Sequence, residues 1–328
     1  MIRCIARIPQ LNDAVSLYRG VGPLSELHRQ IDFTYATAYE FSWSTIAGFD
    51  LVYIVRPCTN HDRGLVDMAK KMQRPVWIDF DDDILDVPPS NLTHNFYSNE
   101  GVKANVRHIL QTADVCTVST EYLAKKLNPF RPVDKPCVVV PNAFPDHLFN
   151  WDQKDVPRNN IISWRGSRTH DRDLNQAHGF FDSIKAMLPH WKFVFLGEPA
   201  YQVHDWFPAN RRRVIPSMDI IEYFHTFKAL GSTFHVVPLE ENDFNRAKSN
   251  IAWIEATWAG AATIAPYNMD EWQKPGILHS PFFGCDSALF TDASVWQDAV
   301  KKSRAYIEKN LLLSHVNKQR ARILESFK

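Results

Sequence analysis

Glycine is scarce, with 12 in 328 residues. A dinucleotide-binding G-x-G-x-x-G loop would stand out against that background, and none occurs. The nearest approach is YRGVGPLSEL (18–27), where Ser25 stands in place of the third glycine. Cysteine is also sparse, with five (Cys4, Cys58, Cys116, Cys137, Cys285), no C-x-x-C pair and no zinc-ligand spacing. This excludes a disulfide framework and fits reduced, mostly buried thiols in a cytosol-like compartment. The 13 histidines contain no H-E-x-x-H or other ligand spacing. No apolar run approaches the roughly 18 residues of a membrane span. The start, MIRCIARIPQ, lacks the long apolar core and small-residue cleavage site of a signal peptide, so a cytoplasmic location is expected. Net charge is missing too, since 37 Lys+Arg balance 37 Asp+Glu. That argues against gripping nucleic acid through a large uniform positive charge. With 45% hydrophobic residues the chain is not disordered.

What the sequence does have is an alternation of short apolar runs with helical patterns. Residues 2–8, 33–36, 50–57, 75–80, 113–120 and 137–142 read as strands. Residues 15–31 read as loop and helix, and helical spacing fills 64–72, 100–112 and 120–127, the last capped by Thr120. A Pro- and Asn-bearing stretch at 144–160 suits a linker. The alternation restarts with strands at 161–167, 191–197, 232–239 and 261–266. Helices are expected around 173–187, at 219–230 and at 245–260, and the tail from Asp292 on is helical. Repeated strand–helix–strand units predict an α/β fold with two doubly wound parallel sheets, and ligands in the cleft beyond the strands' carboxyl ends.

Four segments resemble GT-B glycosyltransferases, in matching order along most of the chain. VCTVSTEYLAKKL…VVVPNAF (115–144) resembles the end of their first domain. IISWRGSRTHDRDL (161–174) resembles the opening of their second. VVPLEENDFNRAKSNIAWIEATWAGAATIAP (236–266) is the most specific match and resembles their nucleotide-sugar segment. WIDFDDDILDVPPSN (77–91) resembles an acidic loop of phage-encoded and surface-glycan members. The resemblance implies GT-B architecture: an acceptor-binding Rossmann-like domain at 1–150, a nucleotide-sugar-binding one at 151–295, and a helical tail at 296–328 packing back on the first. It implies transfer of a sugar from a donor such as a UDP-sugar to an acceptor hydroxyl, with no divalent metal. Many retaining members carry two glutamates with seven residues between them. Here Glu255 has Ala247 in the partner position, so a retaining outcome does not carry over by analogy.

The chemistry follows residue by residue. Asn245, Arg246, Lys248 and Ser249 open the 245–260 helix, whose N-terminal N–H groups suit a diphosphate. Lys248 adds a cation for the charge growing on the leaving nucleoside diphosphate, and Arg246 offers another. The resemblance makes Glu255 an acceptor of ribose hydroxyls. Arg165, Gly166 and Ser167 form a polar turn able to hold phosphate oxygens, or simply a helix start. Gly20 and Gly22 allow close backbone approach to the donor, with Arg19 reaching a phosphate; the alternative is a turn before a helix begun by Pro23.

DFDDD (79–83) crowds four carboxylates into five residues. Crowding raises carboxylate pKa values, which suits Asp81, Asp82 or Asp83 as the base taking the acceptor proton. A hard-cation site and an acidic helix start are the other readings. His94, His108 and His170 are weaker candidates. Arg211–Arg213 read as a solvated face able to meet a phosphate backbone. The acceptor is either a surface glycan or small molecule, or the hydroxymethyl group of a modified pyrimidine in phage DNA, which requires extruding the base. A non-catalytic nucleotide-sugar-binding protein is the alternative from another class. Residues 1–150 carry 15 basic and 17 acidic side chains, and residues 151–328 carry 22 and 20. The slight positive excess has the sign expected where an anionic donor docks.

Overall fold

The computed structural model describes residues 1–327 except 38–42, 153–155, 200, 281 and 283–287. Cys285 therefore lies outside the described residues. Among those described, the strands form two six-stranded, wholly parallel sheets. The first contains β1 (Ile2–Arg7), β2 (Ile31–Ala36), β3 (Leu51–Val55), β4 (Val76–Phe80), β5 (Val115–Val118) and β6 (Val138–Val139), in the order β2-β1-β3-β4-β5-β6. The second contains β7 (Asn159–Gly166), β8 (Lys192–Gly197), β9 (Arg212–Ile215), β10 (Ser232–Val236), β11 (Ala262–Ala265) and β12 (Leu278–His279), in the order β12-β11-β10-β7-β8-β9. Strand order reverses between β1 and β3 and again between β7 and β10. These switch points are where the crossover helices part and leave a crevice.

The buried strands read as unbroken apolar runs because helices cover both faces. β3 is buried at all five positions. The helices start where side chains satisfy their first N–H groups. Thr59 and Asp62 form a reciprocal capping box on Asn60–Lys71, and Thr120 caps Glu121–Leu127 as its sequence predicts.

The 15–31 stretch, read as loop and helix, forms two short helices, Ala14–Arg19 and Val21–Glu26, joined at Gly20. Two expected helices are broken. The 173–187 pattern splits into Asp171–Gln176 and His178–Met187. The 245–260 pattern becomes a turn, Asp243–Arg246, and a separate helix, Ile251–Trp258. Asn242 caps the turn through the Asn245 N–H, and the chain stays non-helical from Ala247 to Asn250 before the helix begins.

The tail is two helices with different loyalties. Ala293–Asn310 packs on the second half, where Trp253 Nε1 donates to Ser303 Oγ at 2.9 Å. Leu313–Glu325 returns to the first half. Its Asn317 Nδ2 donates to the Pro23 carbonyl and to Glu26, and Leu324 is buried with Ile2, Cys4, Tyr53 and Trp77. Phe144 and Leu312 bridge the crossing segments.

Of Arg211–Arg213, Arg213 is exposed while Arg211 and Arg212 are engaged by backbone carbonyls. Arg211 caps the end of the His178–Met187 helix by donating to the carbonyls of Lys185, Leu188 and Trp191, and Arg212 and Arg213 lie in β9. Cys4, Cys58, Cys116 and Cys137 are free thiols. Among the described residues no helix is long and apolar enough to cross a membrane.

Candidate functional site

A cavity of about 210 Å³ opens beyond the ends of β7 and β10. Its walls come from both halves. Tyr18 and Asn142, with Asp81 and Asp82 just after β4, belong to the first; Arg165, His170, His235, Lys248, Ser249 and Trp272 belong to the second. A larger cavity of about 470 Å³ adjoins it, and Arg165 and His170 line both. Gly166 and Gly197 pair in register along its floor. Gly197 has φ +104, and a Cβ there would sit 2.1 Å from the Gly166 carbonyl oxygen. Only glycine gives this floor.

Glu255 is 1% exposed yet reaches the larger cavity. It accepts hydrogen bonds from the hydroxyls of Tyr18 (2.7 Å) and Tyr223 (2.8 Å) and pairs with Arg165 Nε at 2.9 Å. Burial and the Glu255 charge push both tyrosines well above the usual phenol range, so they stay donors. Burial works against the Arg165 charge, but Glu255 outweighs it and holds the guanidinium protonated.

Across the cleft, Lys248 Nζ lies 3.3 Å from Asp82 Oδ1 and 4.5 Å over the Phe244 ring. Asn142 Nδ2 donates to Ser249 Oγ at 2.8 Å. Lys248 and Ser249 precede the Ile251–Trp258 helix rather than lying inside it. The N–H groups of Ile251 and Ala252, in its first turn, have no acceptors within the helix, and both residues line the smaller cavity. Anion-binding groups therefore converge there even though the helix starts later than its sequence predicts.

The four carboxylates of 79–83 are divided, not crowded. Asp79 is buried and pairs with Arg19 at 2.7 Å. Asp81 accepts from Arg56 at 2.6 Å, Asp82 faces Lys248, and Asp83 lies 3.6 Å from Lys126. Burial raises the Asp82 carboxyl, but Lys248 and Arg56 outweigh it, and the net shift is downward. Burial raises Asp83. Asp83 is fully buried outside both cavities, so it cannot meet an acceptor. Among the described residues no group of three or more His, Cys, Asp or Glu side chains is placed to hold a metal ion.

Of the residues singled out in the sequence, Asp81, Asp82, Arg165, Gly166, Ser167, Lys248, Ser249 and Glu255 line one cavity or the other. Five others are corrected. Arg19 is 0% exposed, and its guanidinium is consumed by Asp79, the Val140 carbonyl and Asn142 Oδ1. Gly20 packs on Ile8, and a Cβ on Gly22 would sit 2.0 Å from the Leu17 carbonyl oxygen. Both glycines serve helix packing rather than donor approach. Asn245 is buried, donating to Asp173 and the Glu240 carbonyl. Arg246 pairs with Glu241 away from both cavities.

Sequence reading missed Tyr18, Tyr223, Arg56 and His235. Tyr18 adjoins Arg19 on a helix, where neighbours point about 100° apart, so only one of them faces the cleft. Arg56 has φ 48, a costly conformation for a side-chain-bearing residue, and it aims the guanidinium at Asp81 and Asp82. No pattern of residue types encodes that.

No family model matches the sequence, and no curated protein matches it. Solved structures do match in three dimensions. HepE of Anabaena, solved with UDP and glucose, superposes with a TM-score of 0.71 at 11% identity, over 99% of this chain and 100% of that one. An alpha-glucosyltransferase solved with UDP and a 13-mer DNA containing an HMU base gives 0.66 at 15% identity, over 99% of each chain. This is the GT-B fold. A Listeria monocytogenes protein described as a putative UDP-N-acetylglucosamine 2-epimerase also matches, at 0.55 and 13% identity, over 98% of this chain and 94% of that one. GT-B architecture thus accompanies more than one chemistry, and function has to be argued from the site.

Proposed function

We propose that this protein is a glycosyltransferase that moves a sugar from a nucleotide-sugar donor to an acceptor hydroxyl. The observation that carries the reading is the pair of adjoining cavities at the β7/β10 switch point, joined at Arg165 and walled by both halves. The larger holds a nucleoside, with Glu255 beside the ribose. The smaller holds the diphosphate, with Arg165, Lys248, Ser249 and the first turn of Ile251–Trp258 as its partners. A UDP-sugar is the expected donor, supported by the UDP-bound neighbours of this fold. The acceptor enters from the first half, where Asp81 or Asp82 takes the hydroxyl proton. Domain closure excludes water and protects the donor from hydrolysis.

For the acceptor we propose the hydroxymethyl group of a modified pyrimidine in DNA, as in a phage DNA-modification system. Support comes from the neighbour bound to HMU-containing DNA. The neutral chain has no long-range attraction for DNA, so contacts are local and the base is flipped out. A cytoplasmic site of action belongs to the same reading, supported by the unbridged thiols of Cys4, Cys58 and Cys116.

The test is incubation with a panel of nucleotide sugars and 5-hydroxymethyluracil DNA, followed by mass spectrometry of the DNA. A hexose or pentose mass increment with release of nucleoside diphosphate is expected. Transfer only to a glycan or small molecule would replace the DNA acceptor. Nucleotide-sugar binding without any transfer would make the protein a binding module.

A further inference from the structure

His170 stands at the junction of the two cavities and is unused by the reading above, on which the following rests. Its Nδ1 lies 2.8 Å from Asp173 Oδ2. Asp173 is 6% exposed, and its other oxygen accepts from the Glu240 N–H and from Asn245 Nδ2, both at 2.8 Å. A carboxylate already receiving two N–H donors is a pure acceptor, so Nδ1 of His170 carries a proton. That fixes the ring and leaves Nε2 as the atom directed away from Asp173. Position 166 is glycine because a Cβ there would sit 2.7 Å from the Trp164 ring, while His170 Cδ2 would stay at contact distance, 3.4 Å. Asp173 also anchors Glu240 and Asn245, which begin the segment carrying Lys248. One buried carboxylate therefore orients both the histidine and the lysine loop.

The charged groups around His170 are of both signs. Asp171 and Asp173 lie on the helix that follows His170, and Asp82 on the loop after β4. Arg165 is the penultimate residue of β7, and Lys248 precedes the Ile251–Trp258 helix. With Nδ1 protonated toward Asp173, donation from Nε2 requires a second proton on the ring, which would add a third cation to the two that attract the same diphosphate.

We propose that His170, oriented by Asp173, donates a charge-assisted hydrogen bond from Nε2 to the donor diphosphate and stabilises it as it leaves. The bond between sugar C1 and the terminal phosphate oxygen breaks, and its electron pair stays on that oxygen, facing His170. The acceptor oxygen forms the new bond to C1 and gives its proton to a carboxylate of the cleft. Asp173 is a positioning residue.

The experiment is calorimetric titration of the full-length protein and its His170→Ala, His170→Asn, Asp173→Asn and Asp173→Glu variants between pH 5.5 and 8.5. The probes are UDP-glucose, GDP-mannose and dTDP-glucose, whose esterified phosphates keep a constant charge over that range, with uridine as a control lacking the diphosphate. Wild-type affinity for the preferred nucleotide sugar should fall as pH rises. His170→Ala should bind about 10- to 100-fold more weakly at pH 6 and lose the pH dependence, as expected for a hydrogen bond to a charged group. Asp173→Asn should follow it and Asp173→Glu should recover most of the loss, while uridine affinity stays unchanged. Wild-type affinity and pH dependence in both His170 variants overturn the assignment of His170 but leave the donor site standing. A wild-type protein that binds none of the three nucleotide sugars overturns the donor-site reading itself, and this inference with it.

Discussion

Tyr18 and Glu255, 237 positions apart, share a 2.7 Å hydrogen bond that joins the first helix of one half to the larger cavity in the other. Tyr223 donates to the second oxygen of the same carboxylate. Removing either hydroxyl leaves a buried charge short of a partner. Tyr18→Phe and Tyr223→Phe should each lower stability by about 1.5–3 kcal/mol in urea unfolding. The double variant should depart from additivity because both act on one carboxylate.

In the proposed reaction Lys248 serves the donor and Asp82 the acceptor. Lys248→Ala should raise KM for the nucleotide sugar about tenfold or more, in line with the loss of a charged hydrogen bond. Asp82→Asn should lower kcat with little change in donor KM. Initial rates over donor and acceptor concentrations separate the two effects. Unchanged kcat in both Asp81→Asn and Asp82→Asn would remove these carboxylates from the role of base.

Arg19 and Gly22 should behave as framework. Arg19→Met strands the buried Asp79 charge and should cost about 3–5 kcal/mol. Gly22→Ala drives a methyl group into the Leu17 carbonyl and should also destabilise. Both variants, where they fold, should keep wild-type donor affinity. A selective loss of donor affinity at normal stability would return these residues to the site.

Two groups, buried His235 and half-buried Glu271, should give opposite pH slopes. Burial pushes His235 down to about 3, below the value of about 6.5 for an exposed histidine. The unfolded chain then binds more protons, and this contribution to stability, intact above about pH 6.5, is lost as pH falls toward 3. Burial pushes Glu271 up to about 7, so its contribution is intact below about pH 4.5 and is lost as pH rises through 7. The two oppose each other between about pH 4.5 and 6.5. Glu271→Gln should unmask a stability that rises with pH by at most about 1.4 kcal/mol per unit, and His235→Gln one that falls. Urea unfolding across pH 4.5–7 measures both.

The strand order of alternation, the capped helix at Thr120 and the location of the cleft were legible because periodicity and caps are local signals. The placement of Lys248, Ser249, Arg165 and Glu255 was legible through their motif. What escaped the sequence depends on partners far along the chain. Arg19 looked available until Asp79, Val140 and Asn142 closed on it. DFDDD looked crowded because its four counter-cations, Arg19, Arg56, Lys126 and Lys248, are scattered over 230 positions. The break at 247–250 was hidden because Asn242 caps a competing turn within an otherwise continuous helical pattern.

The return of Leu313–Glu325 to the first sheet bears on how the chain is made. Leu324 fills a core that begins at Ile2, so a ribosome synthesising this protein releases the second sheet complete while the first still has an open face. The half translated earliest is finished latest. A chaperone or a nascent-chain protease should meet it as exposed Cys4, Tyr53 and Trp77, until residues 313–325 emerge and close over them.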